Sequence, residues 1–148
     1  MIEIRNILFL TDFSPEAALA LPYARDLAER YSSRLYLLHM VEDPTRTLDV
    51  MSGGLHFDLL RQDMARAAEE KLTQMHQEEF RSSPHCEPIV EVGDLFTGVL
   101  KAVHEKQIDV IVLSAHTHQG FHLHLLSNLP EKLVRKAPCH VFVVHSTT

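Results

Sequence analysis

The chain contains five short apolar runs, and the segments between them carry apolar residues at helical spacing. Each run is rich in Leu, Ile and Val and is short enough to form a single strand. Continuous apolar runs of this length are typical of strands covered on both faces, as in a parallel sheet. The predicted strands are Ile7–Leu10 (preceded by Ile4), Leu35–Val41, Pro88–Val92, Asp109–Leu113 and Val141–Val144.

Helices are predicted between these strands. The first should begin at Pro15, with Ser14 as its N-cap, and continue without a break to about residue 30. Later helices are predicted over about residues 56–80, 95–103 and 129–136, and Glu42–Gly54 is predicted to be a loop. Because strand–helix alternation demands parallel pairing with right-handed crossovers, we expect one doubly wound, Rossmann-like α/β domain over residues 1–148.

Composition narrows the class of partner. The chain has 14 basic and 20 acidic residues, a formal net charge of −6, which disfavours binding to a phosphate backbone. Its one basic cluster, Lys132, Arg135 and Lys136, is interpreted as a solvated helix face, so no nucleic-acid partner is expected.

No apolar run is long enough to span a bilayer, and the N-terminus lacks a signal-peptide pattern. Cys86 and Cys139 form no CxxC pair, which is typical of free thiols in a cytoplasmic protein.

Ligand contacts are expected where strands end, because open parallel sheets bind ligands at the carboxyl ends of their strands. The candidates are Leu10-Thr11-Asp12, after the first strand, and Ser114–Thr117, after the fourth. Enzyme signatures are missing: the sequence contains no GxxxxGK[ST], GxGxxG, HExxH or GxSxG motif. These absences favour a binding module over an enzyme.

Several stretches, in this order and spacing, resemble the universal stress protein family. They are Thr11–Ser14, Leu37–Val41, Gly93-Asp94 and Ala137–Val141, and the similarity extends over essentially the whole chain. The resemblance implies a five-stranded parallel sheet of order 3-2-1-4-5 with helices on both faces. It also implies a homodimer, commonly formed through the fifth strands, here Val141–Val144. That apolar edge would be covered either by a second copy or by the chain's own tail, residues 146–148.

Many members of that family bind ATP through a G-x2-G-x9-G-[ST] motif after the fourth strand. Aligned on Ala137–Cys139, its glycine positions fall on Ser114, Thr117 and Ser127, and its hydroxyl position falls on Asn128. Every glycine is replaced, and the added side chains occupy space where a phosphate would approach the backbone. Asn128 is the mildest change, since Asn tolerates left-handed backbone. We therefore expect no cofactor, and ATP or another adenine nucleotide would bind only weakly.

Positions outside the ATP motif that match the family's nucleotide site favour a pocket of nucleoside size. Asp12, next to Thr11, matches the family's acidic residue near the adenine and ribose, and Met40 matches an apolar residue that packs on the base. Asp12 has a second, compatible interpretation as a capping carboxylate for the helix that begins near Pro15. His39 is interpreted as a core histidine with a satisfied hydrogen bond.

Histidine is unusually frequent, with 11 residues in the chain. A cluster in the loop after the fourth strand contains His116, His118, His122 and His124. These side chains are interpreted either as solvent-facing substitutes, as ligands for zinc, copper or nickel, or as a pH sensor.

The leading hypothesis is a dimeric cytoplasmic stress-response protein that binds an unknown protein partner or a small ligand, without tight ATP binding and without turnover. One alternative is an ATP- or AMP-binding protein with slow hydrolysis that uses Thr11, Asp12 and the Ser114–Asn128 loop. A second alternative is metal binding by the loop His116–His124.

Overall fold

The computed structural model describes residues 1–43, 54–81, 83, 85–115 and 128–146, with the side chains of residues 54–57 left aside. Most of the predicted loop Glu42–Gly54 lies outside this part of the chain. The strands are β1 (Asn6–Leu10), β2 (Arg34–Val41), β3 (Cys86–Val92), β4 (Val110–Ser114) and β5 (His140–Val144). The helices are α1 (Pro15–Ala18), α2 (Leu21–Tyr31), α3 (Gly54–Glu79), α4 (Leu95–Glu105) and α5 (Leu129–Lys136).

The strands form one parallel sheet of order β3-β2-β1-β4-β5, which confirms the predicted α/β class and strand order. The central strand β1 pairs with both neighbours, because Ile7 lies opposite Leu35 of β2 and Val110 of β4. The strand order reverses at β1, so the carboxyl ends of β1, β2 and β4 meet at one edge of the sheet.

Each face of the sheet is covered by a separate apolar layer. Ile7 and Phe9 pack on the face covered by α2 and α3, whereas Leu8 contacts the layer under α4 and α5. All three side chains are fully buried. Alternate residues of β1 from Ile7 onwards are therefore buried in opposite directions, and neither face of this part of the strand is exposed to water.

The first helix differs from the prediction, because it is two helices. α1 ends at Ala18 and α2 begins at Leu21. Pro22 has no N–H with which to continue the α1 hydrogen-bond ladder, and its ring disfavours a helix interior. At the break, the amides of Leu19 and Ala20 bond to carbonyls three residues back, at 3.2 and 3.1 Å. The predicted start is correct, since the Ser14 hydroxyl accepts a hydrogen bond from the Ala17 amide at 3.1 Å.

The length and apolar character of the helices can be compared with what a membrane span requires. Among the residues in the ranges given above, no helix has the length and apolar character needed to cross a bilayer.

Asp109 holds the amino end of β1 against β4. Its Oδ2 accepts hydrogen bonds from the backbone amides of Arg5 and Asn6, at 2.8 and 2.9 Å. Asp109 thus connects two segments that are adjacent in the sheet but 103 residues apart in the chain.

Removal of this carboxylate should destabilise the fold. We expect Asp109→Ala to lower the free energy of unfolding by about 1.5–3 kcal/mol, since two backbone donors lose a charged acceptor. Asp109→Asn, which keeps one amide oxygen as an acceptor, is the matched control and should lose less. Urea denaturation measures both values, and an Asp109→Ala variant within about 0.5 kcal/mol of wild type would contradict this role.

Candidate functional site

A cavity of about 580 Å³ lies at the carboxyl ends of β1, β2 and β4. This volume is within the usual range for small-molecule sites. Its described walls come from the ends of these strands, the turn before α1, one side of α3 and the starts of α4 and α5. Most of the wall is apolar, including Leu10, Leu38, Met40, Val41, Met64, Ala67, Ala68, Leu95, Leu113 and Leu129.

The turn Thr11–Ser14 forms the polar part of the wall and is fixed by its own side chains. The Thr11 amide donates to the Leu38 carbonyl at 3.0 Å, which continues the β1–β2 pairing past the end of β1. The Thr11 hydroxyl oxygen accepts from the Phe13 amide at 3.0 Å. Phe13 adopts a φ of 64°, a left-handed conformation that is uncommon for a bulky residue. The turn is therefore held by its own hydrogen bonds, with no ligand required.

Asp12 does not cap α1, as one of its two predicted roles required, but closes the turn that leads into the helix. One carboxylate oxygen accepts from the Ser14 amide at 2.9 Å, which closes an Asx turn immediately before α1. The N-cap of α1 is Ser14, so Asp12 stabilises the approach to the helix and not its first turn. Asp12 also lines the cavity, where a carboxylate can accept hydrogen bonds from sugar hydroxyls.

His39 is half-buried beside this turn. Its Nδ1 lies 2.8 Å from the Thr11 carbonyl oxygen, which can only accept, so Nδ1 carries the proton in the neutral ring. Burial lowers the pKa of His39 below its usual value, although the Thr11 hydrogen bond and the nearby Asp12 charge oppose that shift. The ring packs against Phe13 with centroids 4.4 Å apart. The predicted hydrogen bond is present, and in addition the ring lines the cavity.

Charged side chains around the cavity are few and mostly acidic. Among the described lining residues, Asp12 and Glu42 are acidic and Lys71 is the basic one. The Lys71 ammonium group lies 5.6 Å from the centre of the Phe13 ring, within the range of a cation–π contact. The described wall therefore carries more negative than positive charge.

The wall that α3 supplies was not predicted from the sequence. Met64, Ala67, Ala68 and Lys71 recur at spacings of three and four residues, so they share one helix side. Met64 lies on this side of α3 and remains 37% exposed. The lysine within an apolar stripe was the available signal that this side of the helix is not entirely core.

The positions of the ATP motif are only partly described. Ser114 is the buried last residue of β4 and lines the cavity with Thr11, Asp12 and Met40. Asn128 directly precedes α5, with a φ of −103°, so its tolerance of left-handed backbone is not used. Thr117, Ser127 and the histidines His116, His118, His122 and His124 lie outside the described residues.

Possible metal ligands are spread apart within the described ranges. There, no three His, Cys, Asp or Glu residues lie close enough together to hold a metal ion.

Both cysteines are free, as predicted. Burial raises the pKa of Cys86 to about 12, and burial together with the Asp109 charge raises that of Cys139 to about 11. Both thiols are therefore protonated at neutral pH, and the thiolate is the reactive form.

A parallel sheet of this order, with its cavity at the switch point, defines the class of α/β proteins with a nucleotide-binding fold. The sequence model described as the universal stress protein family matches residues 3–145. The chain belongs to the universal stress protein family, which confirms the resemblance.

Several known proteins are similar to this chain in sequence or in fold. Universal stress protein MJ0577 of Methanocaldococcus jannaschii is 22% identical over 152 residues, covering 95% of this chain and 94% of its own. The solved structure of MJ0577 superposes with a TM-score of 0.83 and covers 99% of each chain. A universal stress protein solved in complex with cAMP gives a TM-score of 0.69 at 16% identity, covering 99% of this chain and 100% of its own. An Arabidopsis thaliana family protein solved with AMP bound gives 0.63 at 13% identity, covering 97% and 93%.

The lowered pKa of His39 should make the stability of the fold depend on pH. Because the folded state binds a proton at His39 less readily than the unfolded chain does, protonation favours unfolding. The contribution of neutral His39 to the free energy of unfolding is therefore complete above the pKa of the unfolded chain, about 6.5. It is lost as the pH falls from there towards the lower pKa of the folded state.

His39→Asn is a suitable comparison, since its amide nitrogen can still donate to the Thr11 carbonyl but does not titrate. Between pH 7.5 and pH 5.5 we expect wild type to lose more unfolding free energy than His39→Asn, measured by urea denaturation at both values. The other histidines are common to both proteins and cancel in the comparison. Equal losses in the two proteins would contradict the assignment.

Proposed function

We propose that this protein is a binding protein that holds an adenine nucleoside, or a ligand of similar size, in the switch-point cavity and does not bind ATP tightly. It acts as a homodimer and regulates a stress response through an as yet unidentified protein partner or small ligand. The observation that carries the proposal is the cavity itself. Its size, apolar walls and polar turn suit a planar base and a sugar.

Two structural relatives support an adenine ligand, since one was solved with cAMP and another with AMP. In this chain, Met40 supplies an apolar surface for a base, and Asp12 supplies a carboxylate for sugar hydroxyls. Hydrogen bonds within the Thr11–Ser14 turn hold the carboxylate in place, which lowers the entropy cost of binding.

The charge of the described wall argues against a bound triphosphate. Among its described lining residues, Lys71 is basic, whereas Asp12 and Glu42 are acidic. Ser114 places a side chain where the family motif has its first glycine. A triphosphate would therefore meet acidic side chains and added bulk where tight binding needs cations and bare backbone amides.

The proposal includes no catalytic turnover. The hydroxyls of Thr11 and Ser14 act as hydrogen-bond acceptors for the Phe13 and Ala17 amides, in a turn and a helix cap. These hydroxyls therefore position the backbone.

Calorimetric titration with adenosine and with Mg-ATP tests the ligand class. We expect adenosine to bind more tightly than ATP, and Asp12→Ala to weaken adenosine binding about tenfold or more, as expected when a charged hydrogen bond is lost. Asp12→Asn, which preserves the acceptor for the Ser14 amide, separates the loss of charge from a disturbed turn. Micromolar binding of Mg-ATP, or release of phosphate from it, would favour the alternative of a nucleotide-hydrolysing protein.

The proposed dimer rests on the outer edge of β5. The His140 amide donates to the Asp109 carbonyl at 3.0 Å, and the Ala115 amide donates to the Val144 carbonyl at 2.8 Å. In a parallel pair, alternate residues bond to the same neighbour, so His140, Phe142 and Val144 direct their backbone groups to β4. Val141 and Val143 direct theirs outwards, where a second strand can bond to them.

A second copy can pair antiparallel to this edge about a two-fold axis perpendicular to the sheet. Such an axis keeps every side chain on its own face, so Phe142 of one copy faces Phe142 of the other when all five residues of β5 pair. Phe142 is 38% exposed and lies 5.8 Å from the ring of Tyr23, which is 48% exposed. The dimer would bring two such aromatic pairs together and remove apolar surface from water.

Val143→Pro tests this arrangement selectively. Proline removes the outward amide of Val143 but no hydrogen bond to β4, so the fold should persist while dimerisation weakens about tenfold or more. Sedimentation equilibrium measures the dissociation constant, and Val92→Lys on the opposite sheet edge is the control, expected to match wild type. An unchanged dimer in Val143→Pro would exclude the β5 interface.

A further inference from the structure

Gly98 lies inside α4 and leaves a notch in the surface of that helix. A Cβ atom built on Gly98 would lie 2.6 Å from the Met40 sulfur and closer still to the Met40 methyl group. Real Cβ atoms do not approach other atoms so closely. The end of the Met40 side chain therefore occupies the space that any side chain at position 98 would need.

Helix stability does not explain this glycine. Glycine is among the least favourable residues in a helix interior, and here the backbone is ordinary helix, with the Gly98 amide bonded to the Asp94 carbonyl at 2.8 Å. Gly98 is also not among the residues of positive φ in the described part of the chain. What the glycine provides is space for the side chain of a neighbouring strand.

The surroundings of Met40 determine where its side chain would move if the notch were filled. Next to it in the sheet register is Glu91 of β3, whose carboxylate lies 3.8 Å from the Lys101 ammonium group of α4. This ion pair makes the outer side of Met40 polar. On its other side Met40 and Leu95 form the apolar wall of the cavity, and an apolar thioether is more favourably placed there.

We propose that Gly98 is a specificity-determining residue of the cavity. By accepting the end of the Met40 side chain, it keeps the cavity wide enough for a planar aromatic group, which then packs on the Met40 thioether. Sulfur–aromatic contacts of this kind are favourable and tolerate some variation in ring position. The proposal rests on the adenine ligand of the proposed function, and it names the aromatic base as the part of the ligand that Gly98 selects.

A set of four variants tests this role by calorimetric titration with adenosine. We expect Gly98→Ala to weaken binding about tenfold, because Met40 then fills the place of the base. In the double variant Gly98→Ala/Met40→Ala, binding should return to within about threefold of Met40→Ala alone, since the displaced group is gone. His104→Ala, an exposed position on the same helix, is the control and should bind as wild type does.

The outcomes separate the two proposals. Should wild type bind adenosine and Gly98→Ala bind it equally well, the role of Gly98 is refuted while the proposed function stands. Should wild type fail to bind adenosine, the proposed function fails, and crystal structures of wild type and Gly98→Ala decide the role of Gly98 without a ligand. Met40 inside the cavity of the variant supports the proposal, and Met40 turned towards Glu91 or solvent overturns it.

Discussion

The structure depends on the position of β1 between β2 and β4. Because Ile7 lies opposite both Leu35 and Val110, the ends of three strands are fixed relative to one another. The hydrogen bond from the Thr11 amide to the Leu38 carbonyl extends this pairing into the following turn. The cavity is a direct result, since its polar turn follows β1, and Met40 and Ser114 lie at the ends of β2 and β4.

The polar turn shows how a short sequence can hold an unusual backbone. Phe13 takes a left-handed backbone conformation although it is not a glycine. Its own amide donates a hydrogen bond to the Thr11 side chain, and the amide of the next residue, Ser14, donates to the Asp12 side chain. Two side chains that line the cavity are therefore also required to shape it. A role in folding and a role in binding are not alternatives for Asp12.

The sequence was sufficient for the fold class, the strands and the beginnings of most helices, because apolar runs and capping residues are local signals. The break between α1 and α2 was missed even though Pro22 marks it, because the apolar spacing continues through the break. Strand order came from the family resemblance, since periodicity does not specify which strands are neighbours. The α3 wall and the fit of Met40 against Gly98 could not be predicted from the sequence, because they depend on tertiary packing between distant segments.

The bond between Asn6 and Asp109 has a consequence for how a newly made chain acquires its binding capacity. These residues are separated by 103 positions, and the cavity lies at the other end of the same two strands. Loop closure over such a distance is entropically costly and comes late in assembly. A ribosome-bound fragment that ends before β4 would have the Thr11 turn but lack the opposite wall, so ligand capture would report that synthesis has passed residue 114.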